Sequence, residues 1–171
     1  MHRSMAVAGV AHGSAMLGAA GCLALGVGVL VYLSDRGASH ALLIPAVAAL
    51  AGGNVFGALG QWLPSFVHPF AFGLFSAAAL PPRLPPRYGA CVVWCVVNIA
   101  FELGQHPSVR APLAEALQSA AWTPLARPLA AYFLRGTFDV GDIAAAVLGG
   151  SAAAVLLRLM HGAGLETPHA T

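Results

Sequence analysis

Long apolar stretches, broken by short polar or proline-rich segments, run through most of the chain. The stretch 12–33 predicts a first membrane helix, close to the roughly 20 residues that cross a bilayer. The apolar run from Met5 to Leu33 exceeds the roughly 7–15 residues of a signal-peptide core. Gly18, Gly21, Gly26 and Gly28 give this helix a small-residue face suited to close packing, and Tyr32 marks an interface. After the polar turn at Asp35 and Arg36, no Asp, Glu or Arg occurs from Gly37 to Pro82. That length predicts two helices, at 40–60 and 66–81, with a turn at Gln61–Ser65. Pro64 motivates the turn, because it disfavours helical geometry at Leu63.

The prolines of 81–87 predict a firm break, since proline cannot continue a helix interior. A fourth helix is expected at 88–105 and a fifth at 140–160. Between them, 106–137 reads as a long loop. Within it, 111–122 is amphipathic, and 124–134 is apolar but too short to span, which predicts an interfacial or re-entrant segment. Residues 161–171 form a polar tail. The pattern gives an all-α, polytopic membrane helical bundle, one domain over 1–171, with about five transmembrane helices plus a short interfacial helix.

Composition agrees. The chain is 58% hydrophobic and 8% charged, against about 25% charged residues in a soluble domain. All eight basic residues are Arg, the net charge is only +2, and no basic patch points to nucleic acid. Cys22, Cys91 and Cys95 sit in apolar runs and read as packing residues. No metal-ligand spacing of the HExxH kind is present, and no cofactor is expected. The short loops decide orientation better than the total arginine count: the turn with Arg83 and Arg87 reads as cytoplasmic. Five spans then place the N-terminus outside and the C-terminus inside, in the inner membrane of a bacterium.

The helix order brings the scarce polar groups to one membrane boundary: His68, Asn98, Glu102, Gln105, Arg135, Asp139 and Asp142. Asn98, Glu102 and Gln105 share a helix face by their spacing. Ionisable groups near a span are costly and mark functional sites. An Asp at the start of the last helix is equally an N-cap. A lone His68 is more often structural, and Ser65 beside it has no other support for hydrolysis. Glu102 sits where the helix dipole disfavours a carboxylate, so a compensating group is expected, with Arg135 close enough to pair. A structural ion pair and a pocket for a ligand or a proton remain equal readings of these residues.

Three motifs resemble the VanZ-like membrane proteins, over about 40–158. They are FVHPFAFGL from Phe66, the E-x-x-Q of Glu102 and Gln105, and FDVGDIAAAVLGG from Phe138. The helix 12–33 lies outside that core. The inserted segment 106–134 departs from the family's pattern, as does the distance from Gln105 to Arg135. A sister family with a longer loop fits the motifs as well. The resemblance implies a small helical membrane protein with no assigned reaction. Together with the polar residues it leads to the first expectation, an envelope membrane protein with an extracytoplasmic polar pocket. The family's named member is tied to glycopeptide (teicoplanin) resistance. Membrane lipids and a lipid-linked or cell-wall precursor are the implied partners; the sequence sets no oligomeric state. One alternative is an intramembrane enzyme acting on a lipid-linked substrate, with Glu102 or Asp142 as acid/base. Another is a small transporter subunit, disfavoured by the apolar far half of the helices.

Overall fold

A computed structural model describes residues 2–36, 56–120 and 124–163. Among them are six helices and no strand. The helices are α1 (His2–Arg36), α2 (Gly57–Ala79), α3 (Leu84–Gly104), α4 (Arg110–Ser119), α5 (Ala126–Arg135) and α6 (Val140–Gly162). Among the described residues, three stretches are long and apolar enough to cross a membrane: His12–Val31, Leu84–Gly104 and Val140–Gly162.

The chain corrects the expected turn at Gln61–Ser65. α2 runs through it, with Pro64 and Pro69 inside the helix. Each proline removes one backbone hydrogen bond, a loss that neighbouring helices make tolerable in apolar surroundings. The helix instead begins at Gly57, whose φ of +54° suits glycine. The expected helix at 40–60 falls largely outside the described residues, as does most of the tail 161–171.

The break at 81–87 is present but shorter than expected. α3 starts at Leu84 and takes Pro85 and Pro86 into its first turn, where a missing N–H costs nothing. Arg87 is 1% exposed and folds back over the break. Its Nε donates to the Pro81 carbonyl at 3.2 Å and its Nη2 to the Leu80 carbonyl at 3.4 Å. The side chain read as a topology signal thus also ties the α2–α3 turn.

α2 is the central helix, packed on α1, α3 and α6, while α3 also packs on α6 and α4 on α5. Glycines set how closely these helices approach. Gly149 of α6 lies on the Phe66 backbone carbonyl of α2, and Gly150 lies on the Cys95 sulfur of α3. Cys95 donates its S–H to the Ala146 carbonyl at 3.3 Å. One buried cluster, Leu17, Leu74, Ala77, Cys91, Ala153, Leu157 and Met160, joins α1, α2, α3 and α6. These positions fill the half of the bundle around the α2–α3 turn.

Contacts also fix the direction of α1. Gly21 meets Phe75 and Gly28 meets Val67, so α1 and α2 are antiparallel. Arg36 and Gly57 therefore sit at the same end of the bundle.

The outer faces are apolar. Leu23 is 73% exposed, Leu159 64% and Val92 61%, and Val93, Val96, Val147, Leu148 and Val155 accompany them. A soluble monomer rarely shows apolar patches of this extent; against lipid such a surface is at home. Gly149→Ala should lower stability by about 1–3 kcal/mol, because its methyl meets backbone that cannot yield. Gly26→Ala, with open space around it, should leave thermal unfolding in detergent unchanged or raised.

Candidate functional site

At the end of the bundle away from the α2–α3 turn, four helices leave a cavity of about 530 Å³. α2 contributes Gln61, Pro64, Ser65 and His68; α3 contributes Asn98, Phe101, Glu102 and Gln105. α5 and the residues after it contribute Tyr132, Arg135, Gly136 and Thr137, and α6 contributes Asp142. Six of the seven residues singled out above line this one space. The seventh, Asp139, forms part of its frame.

That frame is built on the start of α6. Asp139 has extended backbone geometry and is the N-cap, its Oδ1 accepting from the Gly141 N–H at 2.8 Å. Its Oδ2 accepts from Trp62 Nε1 at 3.1 Å. Both oxygens are thereby used, which makes Asp139 a structural residue. Gly141 leaves room for the Trp62 indole, which a Cβ would strike. One turn on, Asp142 Oδ1 accepts from the Ser65 hydroxyl at 2.6 Å. Two bonds thus clamp α2 to the start of α6.

Glu102 is 8% exposed. Its Oε1 accepts the Asp139 backbone N–H at 2.6 Å. The expected pair with Arg135 is corrected: Glu102 and Arg135 form no ion pair. The compensation comes from a backbone donor at the head of α6, where the helix dipole favours negative charge. Arg135, in the last turn of α5, is exposed and lies on the cavity wall.

Gln105 is 7% exposed and donates from Nε2 to the Tyr132 hydroxyl at 2.9 Å. Gly136 makes space for this side chain; a Cβ there would overlap it. The Tyr132 oxygen accepts from Gln105, so its own proton is free to donate. Burial, and then the charge of Glu102, hold that phenol above its ordinary pKa, and the Gln105 bond opposes them. It stays a neutral donor. Phe101 and Phe133 pack edge-on against Tyr132 and tilted against each other, and Phe133 fills the space beside Gly104, which seats α5 on α3.

Farther along α2 and α3, past the cavity, the packing turns aromatic. His68 stacks near Phe72 and Phe72 on Trp94, with ring centroids 6.1 and 4.8 Å apart. Trp94 Nε1 donates to the Ser76 hydroxyl at 2.9 Å. Asn98 Nδ2 donates to the Trp94 carbonyl at 2.8 Å, which turns Asn98 Oδ1 away from that bond. Among the described residues no group of three or more His, Cys, Asp or Glu is placed to hold a metal ion.

Sequence reasoning passed over Tyr132, Gln61, Phe101 and Trp62 as site residues. Tyr132 and Arg135 are three apart on an amphipathic segment, and that spacing was the available signal. Comparison of the chain with family models, curated proteins and solved structures finds no match.

Proposed function

We propose that the cavity receives the polar head of a membrane amphiphile, a lipid or a lipid-linked envelope precursor, from the extracytoplasmic face. The carrying observation is the cavity itself: Glu102, Gln105, Asn98, Asp142, Tyr132 and Arg135 face one space in a bundle whose outer surface is apolar. Polar groups at membrane depth are retained where they serve a ligand, an ion or a proton. The packed apolar core at the far end argues against a polar path across the membrane, and so against transport. The reading places the chain among envelope membrane proteins of the VanZ-like kind in a bacterial inner membrane. Its motifs from Phe66, Glu102 and Phe138 support that placement.

In this reading α1, α2, α3 and α6 cross the membrane, α4 and α5 lie at its outer surface, and both termini are cytoplasmic. α2 has 23 residues, a rise of about 35 Å, and its Gln61, Ser65 and His68 line the cavity. With α1 and α2 antiparallel and the Arg83/Arg87 turn taken as cytoplasmic, this reading puts the N-terminus inside, where five spans would put it outside.

One observation favours a second reading, an enzyme acting on that same amphiphile. Ser65 holds its hydroxyl on Asp142 at 2.6 Å, beside His68 on the cavity wall. Turnover of a bound amphiphile that disappears in Ser65→Ala would move the protein into that class.

Reporters fused to the N-terminus and after His161 should both register the cytoplasm; opposite compartments would overturn the four-crossing arrangement. The function is tested with photoactivatable amphiphiles, carrying the reactive group in a phospholipid head or in a polyprenyl-phosphate sugar. Adducts at cavity residues such as Phe101 and Tyr132 are expected. Adducts confined to the outer faces, at Val92 or Val155, would defeat the reading.

A further inference from the structure

The cavity's hydrogen bonds narrow the chemistry of the headgroup. Glu102 and Asp142 each commit one oxygen, to the Asp139 N–H and to the Ser65 hydroxyl. Neither second oxygen has a hydrogen-bond partner, and neither is sealed off in the protein. Both residues line the cavity, which leaves these oxygens available to a group bound there. Asn98 adds a third acceptor. Its amide nitrogen donates to the Trp94 carbonyl, which leaves the oxygen as the group this cavity-lining residue can offer a donor. Three acceptors, two of them carboxylate, match the three N–H donors of a primary ammonium.

The basic group stands apart from them. Arg135 is exposed at the C-terminal end of α5 and pairs with neither Glu102 nor Asp142, though all three line the same cavity. A guanidinium in such a position fits a phosphate, which it can hold with two parallel hydrogen bonds. The Asp139 N–H offsets the charge of Glu102 on one oxygen only, and a cation brought by a ligand would serve the side of the carboxylate that this bond leaves open. The wall therefore asks for one molecule with a positive end and a negative end.

We propose that the cavity takes an aminoethyl phosphate group, with its primary ammonium on Glu102, Asp142 and Asn98 and its phosphate on Arg135. This rests on the headgroup reading above and names its substrate class. A phospholipid with an ethanolamine head carries this group, as does free phosphoethanolamine. A choline head has no N–H to give, and a glycerol head has no cation.

The test is equilibrium binding to the full-length protein, purified in detergent and stripped of lipid. The probes are phosphoethanolamine and dihexanoyl phospholipids with ethanolamine, choline or glycerol heads. The ethanolamine lipid should bind about tenfold or more tighter than the other two lipids, as charge-assisted hydrogen bonds warrant. Glu102→Gln keeps an acceptor for the Asp139 N–H, so it should stay folded with a cooperative unfolding transition and lose the preference. Arg135→Gln should weaken ethanolamine and glycerol lipids alike. Phosphoethanolamine should compete with the lipid; tighter binding of the lipid assigns the source to the membrane, and equal binding assigns it to the free compound. A glycerol lipid that binds as tightly as the ethanolamine lipid, or a preference that survives Glu102→Gln, overturns the proposal. Loss of all cavity labelling by the photoactivatable amphiphiles would instead remove the headgroup reading beneath it.

Discussion

The polar end of this bundle depends on one hydrogen bond, from the backbone N–H of Asp139 to the carboxylate of Glu102, at 2.6 Å. Glu102 stands in the last turn of α3, where carbonyls point at it and the helix dipole works against negative charge. The head of α6 has the opposite polarity and spare N–H groups. Placing one against the other offsets a liability of each. The same contact fixes the start of α6, so Asp139 can cap it and hold Trp62, and Asp142 can meet Ser65. Three helices are thereby registered at one end without an arginine between them.

The two ends of the bundle follow different physics. Around Leu74, Cys91, Ala153 and Leu157 the helices meet through small and aliphatic side chains. Glycine lets the backbones approach, at Gly149 on Phe66 and Gly150 on Cys95. Surrounded by lipid, such close packing, and not apolar burial from water, holds helices together. At the other end the helices are held apart by side chains that bond one another sideways. Tyr132 and Phe133 prop α5 against α3, and the space left between becomes the cavity. α5 is itself too short to span, at 10 residues, and serves as a wall.

Much of this was readable in the residues. Apolar length alone marks the stretches at 12–33, 88–105 and 140–160 as helices, because a membrane helix needs little besides length and hydropathy. Scarcity makes Glu102 and Asp142 conspicuous, and helix order puts them at one boundary. What could not be read depends on partners. Pro64 looks like a turn by local rules, yet α2 continues through it because α1, α3 and α6 surround the helix. The direction of α1 against α2 is set by Gly21 on Phe75 and Gly28 on Val67, contacts that no hydropathy pattern encodes. Arg135 looked like the natural partner of Glu102 by charge. A backbone amide took that role instead, and backbone donors carry no signature in sequence.

The claim that organises the account is that the α6 backbone, and not Arg135, holds the Glu102 carboxylate. A double-mutant cycle on thermal stability, with Glu102→Gln and Arg135→Gln in lipid-stripped protein, tests it most directly. The two effects should add within about 0.3–0.5 kcal/mol, as for sites that share no partner. A coupling of about 1.5 kcal/mol or more, in the range of interacting pairs, would contradict the account and restore a structural ion pair at the centre of the site.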